Sequence, residues 1–181
     1  MPRKRSLPAF TRYPPKNILL FNSLTILYYL LGGIGLMIAY ENWWGFWLGA
    51  LYFLFAFSQM YLVLPLIVCP SCIYTRIENA LCMSGLNTLS QRLAPRGRSQ
   101  DFQKRRKGLL CHTNLYLAAF LIPILGIAPG LFISFSFGLF LIILALIVLV
   151  GVFFLVIYPK NSCGFCRAKE ICPNAKAMRI R

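Results

Sequence analysis

Acid is almost missing from this chain, and so is histidine: its 181 residues include four Asp or Glu and one His. The single Asp, Asp101, lies in a run of arginines and lysines, so a Ser–His–Asp relay has no acid in place to orient its histidine. Haem held by two axial histidines inside the membrane is excluded for a single chain whose only histidine is His112. No G-x-x-x-x-G-K-[ST] loop, G-x-G-x-x-G turn or H-E-x-x-H motif occurs, which removes the common nucleotide and zinc-protease signatures. Charged residues of any sign make up 13% of the chain, against about 25% in a soluble domain.

What fills the space instead is apolar. Hydrophobic residues are 59% of the chain, and they are gathered into four runs. These are Asn17–Tyr40, Gly45–Val68, Asn114 to about Gly130, and about Ile133 to Tyr158. Each approaches or exceeds the roughly 20 residues that cross a hydrocarbon layer as a helix. The third is the shortest and carries Pro123 and Pro129, which are expected to kink or end it. None of the runs contains Asp, Glu, Lys, Arg or His, so the charged intramembrane groups normal in pumps and proton channels are lacking. The first run is too long for the apolar core of a signal peptide and has no small-residue cleavage site after it, so it is expected to stay as a helix.

The cations are one-sided. Arg3, Lys4, Arg5, Arg12 and Lys16 precede the first run. Arg76, Arg92, Arg96, Arg98, Lys104, Arg105, Arg106 and Lys107 lie between the second and third. Lys160, Arg167, Lys169, Lys176, Arg179 and Arg181 follow the fourth. Those are all nineteen, and the turns after the first and third runs have none. Positive charge marks the cytoplasmic side. The expectation is an integral protein of the plasma (inner) membrane with both termini cytoplasmic. The formal charge of +15 is then explained by topology and by anionic headgroups, and nucleic acid is not an expected partner. Trp43, Trp44 and Trp47 fit an outer aromatic belt, and Tyr13, Tyr74, Tyr116 and Tyr158 an inner one.

The organisation expected is all-α: four transmembrane helices as two helical hairpins, with cytoplasmic cysteine-rich segments. Residues 1–16 form a basic N-terminus, 17–68 the first hairpin and 69–113 a basic loop. Residues 114–158 form the second hairpin and 159–181 the tail. The chain reads as a parallel repeat, because each hairpin is followed by a cysteine cluster. Gly45 and Gly49, and Gly126 and Gly130, are G-x-x-x-G pairs that allow close helix approach. In the loop, Cys82, Leu86, Leu89 and Leu93 recur at helical spacing, which predicts a short amphipathic helix on the inner surface, weakened by Gly85.

Seven cysteines carry the chemistry. The first cluster is Cys69-Pro-Ser-Cys72 with Cys82, and the second is Cys163-Gly-Phe-Cys166 with Cys172. A reducing compartment argues against structural disulfides. Two C-x2-C pairs on one face point to metal, since each presents two thiolates to one ion. Cys69, Cys72, Cys163 and Cys166 are the expected ligands of zinc or an iron–sulfur cluster. Cys82, Cys172, Cys111 and His112 are weaker candidates. Gln59 and His112 are candidates for quinone or lipid contact. The reading is a non-catalytic membrane-anchor subunit of an electron-transfer complex. Protein partners would dock on its basic face, and electrons would pass towards quinone. The alternatives are a structural or assembly protein with a zinc clasp, and a membrane thiol–disulfide oxidoreductase.

Overall fold

The computed structural model describes residues 9–40, 43–95, 97 and 112–169, with only the backbone of His112 and Thr113. Four helices are long and apolar enough to cross a membrane: Pro15–Ala39, Trp43–Ser71, Asn114–Ile133 and Phe137–Phe165. In order, the elements are α1 (Pro15–Ala39), α2 (Trp43–Ser58), α3 (Leu86–Leu93), α4 (His112–Ile133) and α5 (Phe137–Val152). Beyond α2 and α5 each span continues as a widened, π-type helix, Gln59–Val68 and Phe153–Ser162. Among the described residues there is no strand, only an isolated parallel bridge between Arg12 and Leu81.

Helix α1 is the centre, touching each of the other spans. Small residues let it do so. A Cβ built on Gly45 would lie 2.2 Å from the Tyr40 carbonyl oxygen, and one on Gly49 would lie 2.6 Å from that of Gly33. On the other side, a Cβ on Gly130 would lie 2.6 Å from the Ala39 oxygen, and one on Gly126 2.6 Å from Leu36 Cδ2. Both G-x-x-x-G pairs therefore seat α2 and α4 on α1, where dispersion and not hydrophobicity holds helices together.

The prolines of α4 do not end it. The helix runs through Pro123 and Pro129 to Ile133. Proline has no N–H, so the carbonyl four residues before Pro123 loses its helical donor. In hydrocarbon that oxygen must find another. Tyr52 Oη donates to Ala119 O at 2.9 Å, and Tyr28 Oη to the adjacent Phe120 O at 2.5 Å. Nearer Pro129, Tyr40 Oη donates to Gly126 O at 2.8 Å. Tyr52 thus takes up the carbonyl that Pro123 orphans, while Tyr28 and Tyr40 add bonds to carbonyls beside the orphaned ones. The fourth span starts later than its hydropathy predicts, because Ser134 and Ser136 flank the turn between α4 and α5, and α5 opens at Phe137.

The expected loop helix forms, over Leu86–Leu93. Gly85 does not weaken it, because it stands just before the first turn with φ 73°, a left-handed conformation that glycine adopts without strain. Leu86 is buried, yet Leu89 and Leu93 point away from the protein. The inward side is polar: Asn87 and Ser90 are buried. Asn87 Nδ2 donates to Ala80 O at 2.8 Å, and its Oδ1 accepts from the Cys82 N–H at 3.1 Å. Asn87 wins the inner position because it satisfies backbone groups that no leucine could.

Candidate functional site

Both C-x2-C pairs are delivered by the same backbone device. A proline stands four residues before each first cysteine: Pro65 before Cys69 and Pro159 before Cys163. Each lies inside the widened end of its span. The ring lacks a donor and crowds the carbonyl of the preceding turn, so the helix opens by one residue. The Cys69 N–H then donates to Leu64 O and the Cys163 N–H to Tyr158 O, each the carbonyl just before the proline. A 3₁₀ turn follows, Cys69–Ser71 and Cys163–Phe165. It is closed by Cys72 N–H to Cys69 O at 2.9 Å and Cys166 N–H to Cys163 O at 3.2 Å. The second cysteine is extended in both, with φ −77° and ψ 148° at Cys72, and φ −76° and ψ 130° at Cys166. One further turn closes on it, from Thr75 N–H to Cys72 O and from Lys169 N–H to Cys166 O, each 3.2 Å.

The two turns are tied together by residues 10–13. Phe10 N–H donates to Phe165 O at 2.9 Å, and the Phe10 ring stacks on Phe165 with centroids 4.7 Å apart. Tyr74 Oη donates to Phe10 O at 2.9 Å and accepts from the Arg167 N–H at 3.2 Å. Tyr13 N–H donates to Leu81 O at 3.0 Å, and Tyr13 Oη donates to Ser162 O. Arg167 Nη2 donates to Thr11 Oγ1 at 2.9 Å. Tyr13, Tyr74 and Ala80 form a small buried core of their own, with Cys72, Cys82, Phe165 and Cys166 packed against it. This cap is separate from the main core of the spans, in which Cys69 is buried.

Burial holds both cap phenols neutral. It pushes the Tyr13 hydroxyl well above the ordinary phenol range, with the Cys166 thiol adding to the effect. Tyr74 is pushed up to about 12, again chiefly by burial, while the Arg167 N–H offsets part of the rise.

Of the expected ligands, Cys72, Cys163 and Cys166 are half-buried and Cys69 is buried. Cys82 is half-buried in the cap, with Sγ 3.4 Å from Ser84 Oγ. Cys111 and Cys172 lie outside the described residues, as does the side chain of His112. Gln59 is buried where α2 begins to widen. Among the described residues no three His, Cys, Asp or Glu converge as a ligand set. Each turn presents its own pair, and the cap brings the second members into one cluster.

Phe10, Tyr13 and Tyr74 escape a reading by composition, which places the tyrosines in a lipid belt. The matched P-x3-C-x2-C spacing was visible and would have pointed to the shared turn. No protein-family model, curated protein or solved structure matches the chain.

Proposed function

We propose that this chain is a small membrane-anchor subunit of an electron-transfer complex, with a cysteine-ligated metal site, iron–sulfur or zinc, on its cytoplasmic face. Its spans are two helical hairpins, each delivering one C-x2-C turn to that face. The observation that carries the reading is the pair of matched turns, Pro65 to Cys72 and Pro159 to Cys166, joined by one strap. A reactive dithiol gains its nucleophile at a helix N-terminus, where the dipole favours thiolate. Both pairs here sit at the opposite pole, where the helix presents carbonyl oxygens and partial negative charge. A cation is what such an end favours. This weighs for metal ligation and against thiol–disulfide exchange.

Cys69, Cys72, Cys163 and Cys166 would supply the ligands, and the described arrangement asks for the pairs to close on the ion when it binds. Zinc would make the site a clasp between the halves, whereas an iron–sulfur cluster would make it a relay between docked partners and the membrane. Full-length protein purified without oxygen decides the matter. Visible charge-transfer absorption with bound iron, or stoichiometric zinc without colour, is expected, and Cys69→Ser with Cys163→Ser should abolish either. Wild-type protein holding neither metal would overturn the proposal.

A further inference from the structure

The interior of the bundle holds more hydroxyl groups than its backbone repairs require. Tyr28, Tyr40 and Tyr52 are spent on carbonyls of α4. Tyr29 is not. Its side chain is wholly buried, and its hydroxyl has no hydrogen-bond partner among the described residues. An unmade hydrogen bond in hydrocarbon is costly, and such a group in a native fold calls for a partner, a water or a ligand. Around it stand other polar groups. The Tyr28 ring lies 6.3 Å from that of Tyr29, and the two phenylalanines that contact Tyr29, Phe57 and Phe120, also contact Tyr61 and Tyr116. Tyr116 and Tyr158 hydroxyls are bonded to each other, and Tyr61 Oη reaches Asn22 Oδ1 at 3.4 Å. Gln59 is buried in the same bundle.

The walls are aromatic. The Phe57 ring lies 5.7 Å from Tyr29, edge-on, and Phe120 lies 6.3 Å away. Nothing near is charged: residues 17–40, 43–75 and 114–159 contain no Asp, Glu, Lys, Arg or His. A phosphate-bearing headgroup therefore has no counter-charge here. A neutral, flat, carbonyl-bearing ring does have partners, a donor hydroxyl for its oxygen and aromatic faces for its plane.

We infer that the bundle, from its middle at Tyr29 towards Tyr61 and Tyr116 at the end that carries the cysteine turns, binds the headgroup of a lipid-soluble quinone, with Gln59 as a further polar group in the same bundle. The inference rests on the electron-transfer reading above and names the membrane partner of that site. Tyr29 would donate to one quinone carbonyl, and Tyr61 or Gln59 would lie against the ring. The Tyr116–Tyr158 pair links this region with the second turn, since Tyr158 stands in the widened helix five residues before Cys163.

A photoreactive azido-quinone with an isoprenoid tail tests this on full-length protein in liposomes. Labelling is expected on residues 22–29, 59–61 or 116, competed by excess unlabelled quinone. Tyr29→Phe keeps the ring and should weaken labelling about tenfold, whereas Tyr40→Phe, at the far end of α1, should leave it unchanged. Labelling confined to lipid-facing side chains, or undiminished by competitor, would overturn the site. So would a water alone in the place: equal labelling of wild type and Tyr29→Phe shows that the hydroxyl holds no quinone. Metal content is measured on the same samples. Protein that keeps its metal but fails to label condemns this inference alone, and protein that labels without metal condemns the metal reading alone.

Discussion

A tyrosine hydroxyl is a small thing to set against a missing backbone donor, but in hydrocarbon it is the nearest substitute. Tyr52 and Pro123 form such a pair through the Ala119 carbonyl. Tyr52→Phe is expected to cost about 1 kcal/mol, the scale of hydrogen bonds within membranes. The cost should shrink in a Pro123→Ala background, where the restored N–H takes over the carbonyl. Reversible unfolding in bicelles by a double-mutant cycle measures both, and equal penalties in the two backgrounds would refute the pairing. In the cap, Tyr74 ionises near pH 12 and not near the ordinary 10. The folded protein holds that proton more tightly than the unfolded chain does. Its stabilising contribution is therefore full below pH about 10 and fades as pH climbs towards about 12. Subtracting the ultraviolet titration of Tyr74→Phe from that of wild type should isolate this late phenolate. A difference appearing near pH 10 would mean the phenol is not buried as described.

Among the elements, α1 depends on contact with backbone and α5 does not. Gly45→Ala drives a methyl into the Tyr40 carbonyl and is expected to destabilise by about 1–3 kcal/mol. Gly151→Ala meets open space and should be neutral or stabilising by about 0.5–1 kcal/mol. A ranking in the other order would show the helices assembled differently. The strap has its own test. Phe10→Ala removes the ring stacked on Phe165, and alkylation of Cys166 should then quicken several-fold while that of Cys69, in the main core, stays slow. How much of this was legible follows from period and range. Long apolar runs announced the spans, and G-x-x-x-G announced two close contacts, because both signals are local. The course of α4 through Pro123 was hidden, since the repair of the Ala119 carbonyl comes from Tyr52 on another helix. Asn87 was missed for the same reason: leucines at helical spacing announced the helix, but the side it turns to the protein is decided by the Ala80 carbonyl and the Cys82 N–H. The cap was beyond reach, because Phe10 and Phe165 meet across most of the chain.

For the molecule as a whole, the cations and the cysteine turns bear on one question, which face is which. With all cations at the same ends of the spans as both C-x2-C turns, a membrane-impermeant maleimide should fail to reach the native cysteines from outside intact cells. A cysteine placed at Ser134, in the turn between α4 and α5, should react readily in a background lacking the native ones. The reverse pattern would invert the protein and place its thiols in an oxidising space.

The strap also imposes an order on manufacture. Tyr13 and Thr11 leave the ribosome ahead of their partners Ser162 and Arg167, which come 149 and 156 residues later. The earlier segment has to wait, unpaired, while the four spans between them are made. Closure of the cap thus reports that synthesis has passed the fourth span. A truncated chain would be left with Phe10 and the first turn uncovered, open to proteases that survey the inner surface.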